Sequence, residues 1–118
     1  MTDIAALRAY LRGKHGMVED FPFGPDPLVL KIGGKMFALV SLNSRPATIS
    51  LKCDPLHGQM LRDEFAAIGP GYHLDKRHWI TVTLDGTLPD AMVRDLIDES
   101  YALVYKGLTR AVRTYLER

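Results

Sequence analysis

The residues best equipped for chemistry in this chain are four histidines (His15, His57, His73 and His78), one cysteine (Cys53) and a set of lysines and arginines grouped by segment. The histidines form no recognised metal-ligand spacing, and with Cys53 as the lone thiol a closed zinc site would need distant histidines and carboxylates. The expectation is therefore no metal and no cofactor. Cys53 directly precedes the Asp54-Pro55 helix start, where a helix dipole can activate a thiol. The alternation of its strand instead sends it inward, as a buried structural cysteine. No Gly-x-Ser-x-Gly elbow, P-loop or dinucleotide fingerprint occurs, and Gly33-Gly34-Lys35 is too short for a phosphate loop. The residues thus point away from an enzyme.

The cations are the remaining resource. Formal net charge is only +1, yet residues 27–53 hold Lys31, Lys35, Arg45 and Lys52 without an acid, whereas residues 84–105 hold five acids and one arginine. Lys76, Arg77, His78 and Trp79 form a second basic cluster, preceded by Tyr72 and His73. Cations meeting phosphates beside a ring that stacks a base are the means by which sheet-type proteins hold nucleic acid.

These residues must be positioned by elements that the pattern makes readable. Ile4, Leu7 and Leu11 recur at helical spacing, and Gly13 and Gly16 end that helix. Val18 to Pro27, rich in proline, allows a short edge strand and a loop. Leu28 to Ile32 and Lys35 to Leu42 flank Gly33-Gly34, a hairpin turn. Thr48 to Cys53 alternates as a half-buried strand. Asp54-Pro55 opens a helix to about Ala67, with Leu61, Phe65 and Ile68 inward, stopped by Gly69-Pro70-Gly71. A strand from about His78 to Leu84 follows, then a long helix from Pro89 to about Lys106 and a last one from Leu108 to Leu116.

The order α-β-β-β-β-α-β-α-α predicts one α+β domain, residues 1–118, with an antiparallel sheet and helices packed on one face. The period of two then puts Thr48, Ser50, Lys52, Trp79, Thr81 and Thr83 on the opposite face, joined by Lys31. That face is expected to be hydroxyl-rich and positively charged. Two roles stay open for Trp79, a stacking platform or a partly covered packing residue, and two for the Gly69-to-Tyr72 turn, a wing or a device that re-aims the chain. A 47% hydrophobic and 25% charged composition suits a soluble globular domain. Lack of a signal-like start and the single cysteine suggest the cytoplasm, with no membrane partner.

The blocks GGKMFALV (33–40), ISLKCDP (49–55), PGYHLDKRHWITVTLDGTLPD (70–90) and LIDESYALV (96–104) resemble the MmcQ/YjbR family across nearly the whole chain. The resemblance implies a frataxin-like (CyaY-like) fold and a double-wing DNA-binding label. One departure is Asp75, where that pattern favours Asn; a carboxylate beside Lys76 and Arg77 weakens a phosphate site. Frataxin-type iron binding is not implied, because the first helix here carries Arg8, Arg12 and Lys14 in place of acids. The leading expectation is DNA as partner, with Lys31, Lys35, Arg45, Lys52, Lys76 and Arg77 on phosphates and Tyr72 or Trp79 stacking, helped by His73 and His78. The alternative is a module binding a protein partner or a small anion.

Overall fold

A computed structural model describes residues 1–118. Helix α1 (Ile4–Arg12) starts where the Asp3 carboxylate accepts the Ala6 amide, and it buries Leu7 and Leu11. Strands β1 (Met17–Asp20), β2 (Leu28–Ile32), β3 (Lys35–Ser41) and β4 (Thr48–Lys52) follow as a meander. At the β2–β3 turn Gly33 and Gly34 have φ of +59° and +81°, the left-handed pair a two-residue hairpin demands. A Cβ on Gly33 would also sit 2.8 Å from a Leu108 methyl, so this turn is packed as well as bent.

Helix α2 (Pro55–Glu64) is capped by Asp54, whose carboxylate accepts the His57 amide. It ends earlier than the periodicity predicts. Phe65 is already extended, at φ −119° and ψ 120°, and Ile68 forms a further strand, β5 (Ile68–Pro70), against β6 (Trp79–Thr83). The physical reason is that Ile68 buries itself opposite Val82 within the sheet, which outweighs one more helical turn. The Gly-Pro-Gly stretch read as a helix stop therefore lies at the exit of a strand. Gly71 is required there because a Cβ would fall 2.6 Å from that of Trp79.

Helix α3 (Asp90–Lys106) crosses the sheet, and α4 (Arg110–Leu116) starts two residues later than expected because the Thr109 hydroxyl accepts the Val112 amide. Leu108 is buried ahead of it. The six strands run β1-β2-β3-β4-β6-β5, antiparallel throughout. Leu30, Ile32, Val40, Ile49, Leu51, Ile80 and Val82 join the helices in one core. The α+β class and the one-sided helix layer are as the sequence predicts, with β5 added. No helix is long and apolar enough to cross a membrane.

One turn of α3 fastens four neighbours. Asp98 accepts hydrogen bonds from Tyr10 and Lys14 of the α1 region, Glu99 reaches the start of α2, and the Tyr101 hydroxyl donates to the His15 carbonyl. Ser100, fully buried, does two things at once. It donates to the Phe37 carbonyl at 2.6 Å and accepts the Lys52 amide at 2.8 Å. Phe37 is the extra residue of a bulge in β3, where Leu30 faces Ala38 but Lys31 faces Met36, and its ring meets Tyr101 edge-on at 5.3 Å.

Candidate functional site

The face of the sheet away from the helices is the floor of a groove of about 860 Å³. The strand register builds it in rows. Val29, Leu39, Ser50, Thr81 and Gly69 run across five strands, and Ser41, Thr48 and Thr83 lie alongside. Two loops wall it: Phe23, Asp26 and Pro27 from the β1–β2 connection, and Tyr72, His73 and Leu74 from the β5–β6 connection. The hydroxyl floor is thus where alternation placed it, but it is recessed, with Ser50 only 3% exposed.

The second loop rests on that floor. Thr81 Oγ1 accepts the Tyr72 amide at 3.0 Å and lies 2.9 Å from Ser50 Oγ. The Tyr72 and His73 rings pack with centroids 4.0 Å apart, and Tyr72 stays 70% exposed. His73 has a φ of +60°, a left-handed conformation that a residue with a Cβ adopts at a cost of about 1 kcal/mol. Strain of that kind concentrates at sites that hold ligands.

The cations expected on this face lie outside the groove. None of the six lysines and arginines lines the groove. Lys31 lies on the right face but pairs with Asp20 at 2.9 Å, a bond that holds the Asp20 carboxyl below its ordinary value. Lys35 is exposed at the hairpin. The Arg45 guanidinium donates to the Leu42 and Ser44 carbonyls of its own loop. Lys52 and Trp79 are cross-strand partners at one end of the face, and the turn carrying Lys76 and Arg77 leads into them. Within that turn Lys76 donates to the Gly71 carbonyl, and Asp75 lies 2.7 Å from His78 Nδ1. His78, followed by the Arg77 amide, holds the Asp75 carboxyl low. The sole carboxylate lining the groove, Asp26, accepts the Leu42 amide at 2.5 Å. Strand register and the turn before β6 bring Asp20 and Asp75 among the cations.

The family model described as YjbR matches residues 12–103. The chain belongs to the YjbR family. Among YjbR-family relatives, the uncharacterized protein YbdF of Escherichia coli O157:H7 is 42% identical over 90 residues, 76% of this chain and 74% of its own. The uncharacterized protein YjbR of Escherichia coli K12 is 36% identical over 99 residues, 83% of each. Of solved structures, Deinococcus radiodurans protein DR2400 superposes with a TM-score of 0.93 at 41% identity, covering 99% of this chain and 89% of that one. A Pseudomonas syringae protein gives 0.75 at 30% identity, covering 86% and 97%. These matches carry the YjbR fold; their names carry no activity.

A second convergence lies on the helix side of this YjbR domain, and sequence reasoning missed it. Cys53, His57 and Glu99 bring their ligand atoms within 4.8 Å of one another. Cys53 is buried as expected, and burial, then its hydrogen bond to Glu99, pushes the thiol up to about 12. The Cys53-x-x-x-His57 spacing was the available signal; Glu99, 46 residues beyond Cys53, enters only through the packing of α3.

Proposed function

We propose that this protein is a binding module rather than an enzyme, and that its groove takes an uncharged, partly planar small molecule. The observation that carries this reading is the lining. It combines neutral hydroxyls with apolar side chains such as Met36 and Leu39 and is free of lysine and arginine. A volume of about 860 Å³ suits a small organic ligand. Exposed rings on both loops, Phe23 at 73% and Tyr72 at 70%, offer flat surfaces, and the floor offers hydrogen bonds. An anion would find no lysine or arginine inside, which disfavours the small-anion alternative.

An amide-resolved NMR titration with free nucleosides as uncharged heteroaromatic probes, alongside their monophosphates, tests the reading. Shifts are expected at Leu39, Ser50, His73 and Thr81, no stronger for the phosphorylated compounds. Gly69→Leu should abolish them, since a Cβ at that floor position meets no atom within 4 Å and the rest of the side chain is expected to extend into the groove. Silence across the floor with every neutral probe, or a strict requirement for phosphate, overturns the proposal.

DNA binding is the second reading, supported by Lys52, Lys76, Arg77 and Trp79 at one end of the sheet, outside the groove. In it phosphates follow that edge. Fluorescence anisotropy with duplex and single-stranded DNA at low salt tests it, and affinity that survives the joint change Lys76→Glu and Arg77→Glu removes the assigned contacts.

A further inference from the structure

On the opposite side of the sheet from the groove, three residues from three elements converge. Cys53 follows β4 and is 2% exposed, His57 lies in the first turn of α2, and Glu99 comes from α3. Cys53 Sγ is 3.6 Å from His57 Nδ1 and 3.2 Å from Glu99 Oε2, while His57 Nδ1 is 2.8 Å from Glu99 Oε1.

Hydrogen bonds from the imidazole and the thiol to the two Glu99 oxygens serve the two short contacts and leave Sγ and Nδ1 3.6 Å apart. A cation that displaces these two protons would be bound by Sγ, Nδ1 and a Glu99 oxygen together. With bonds of about 2.3 Å to sulfur and about 2.0–2.2 Å to nitrogen and oxygen, a tetrahedral zinc ion sets its ligand atoms about 3.3–3.6 Å apart. The Sγ–Nδ1 separation of 3.6 Å already matches that range and Sγ–Oε2 at 3.2 Å nearly does, while Nδ1 and Oε1, hydrogen-bonded at 2.8 Å, would part by about 0.5 Å as the ion enters. A catalytic relay fits less well, because thiol and carboxylate approach the same ring nitrogen, whereas a relay uses both. The donor set also selects the metal. Thiolate disfavours magnesium and calcium, carboxylate disfavours copper(I), and the mixture suits zinc.

We propose that Cys53, His57 and Glu99 form a three-ligand zinc site, its fourth position taken by water, that ties β4, α2 and α3 together. His57 and Glu99, with side chains 44% and 27% exposed, leave a path from solvent for the ion. The site is independent of the groove and of what the groove holds.

Chelator-treated full-length protein titrated with cobalt(II), the spectroscopic stand-in for zinc, tests this. The expected result is a near-ultraviolet thiolate-to-cobalt band that saturates at one equivalent and is displaced by zinc. Cys53→Ser should abolish the band, and His57→Gln and Glu99→Gln should each weaken zinc at least 10-fold, while His15→Gln leaves it unchanged. Should Cys53→Ser fail to fold, the two more exposed variants decide the matter. Folded wild-type protein that gives no band in excess cobalt, or zinc affinity unchanged in both His57→Gln and Glu99→Gln, overturns the proposal.

Discussion

His73 pairs a left-handed backbone with a side chain on the groove wall, so its two effects should separate on substitution. Asn tolerates that backbone better, and His73→Asn is expected to stabilise the fold by roughly 0.5–1 kcal/mol while weakening any groove ligand; thermal melts and the NMR titration read the two. Glu19 makes a different prediction. It accepts hydrogen bonds from Arg8 at 2.7 Å and Arg12 at 2.9 Å, and the Arg8 bond, ahead of the others, holds its carboxyl below the ordinary 4.5. A folded value that is depressed means stability present in full above 4.5 and lost as pH falls through the lower, folded value. Glu19→Gln should therefore cost about 1 kcal/mol at neutral pH, with a difference that shrinks below pH 4.5 and vanishes in strong acid, as denaturant titrations across pH would show. The partners of Lys31 and His78 were invisible for a related reason. Asp20 meets Lys31 only once β1 is registered against β2, and Asp75 turns toward His78 only once the loop is formed.

Among the elements, strands with strict alternation were legible: those read over Thr48 to Cys53 and about His78 to Leu84 form as Thr48–Lys52 and Trp79–Thr83, because one face must meet helices and the other must not, whereas their pairing with each other came only from the structure. β5 was not legible, since three residues ending in Gly-Pro carry no period of their own and are held by pairing with β6. Nor was the bulge at Phe37, which depends on Ser100 from a distant helix. Ser100→Ala should strand both the Phe37 carbonyl and the Lys52 amide in a dry interior. The expected loss is about 2–3 kcal/mol in equilibrium unfolding, with faster hydrogen exchange at Lys52. A loss near zero would mean that the bulge is held by the Phe37 ring alone.

For the whole molecule, a net charge of +1 and three cations at one edge limit how salt can govern any nucleic-acid affinity. If Lys52, Lys76 and Arg77 are the phosphate contacts, log K against log salt should fall with a slope of about −3. A slope near −6 would require Lys31, Lys35 and Arg45 to join them, and so require Lys31 to leave Asp20. The overall architecture was readable because it follows from periodicity and turns, whereas the groove depends on two irregular loops whose path no period encodes. The turn at residues 98–101 has a last consequence. Asp98 and Tyr101 hold the end of α1, Glu99 the start of α2, and Ser100 both β3 and β4. Inserting a single residue just before Asp98 would rotate all four by about 100° about the axis, unfastening both flanking helices and two strands together. That stretch of α3 behaves like a key cut for one lock: each tooth tolerates limited change, but the spacing between teeth tolerates none.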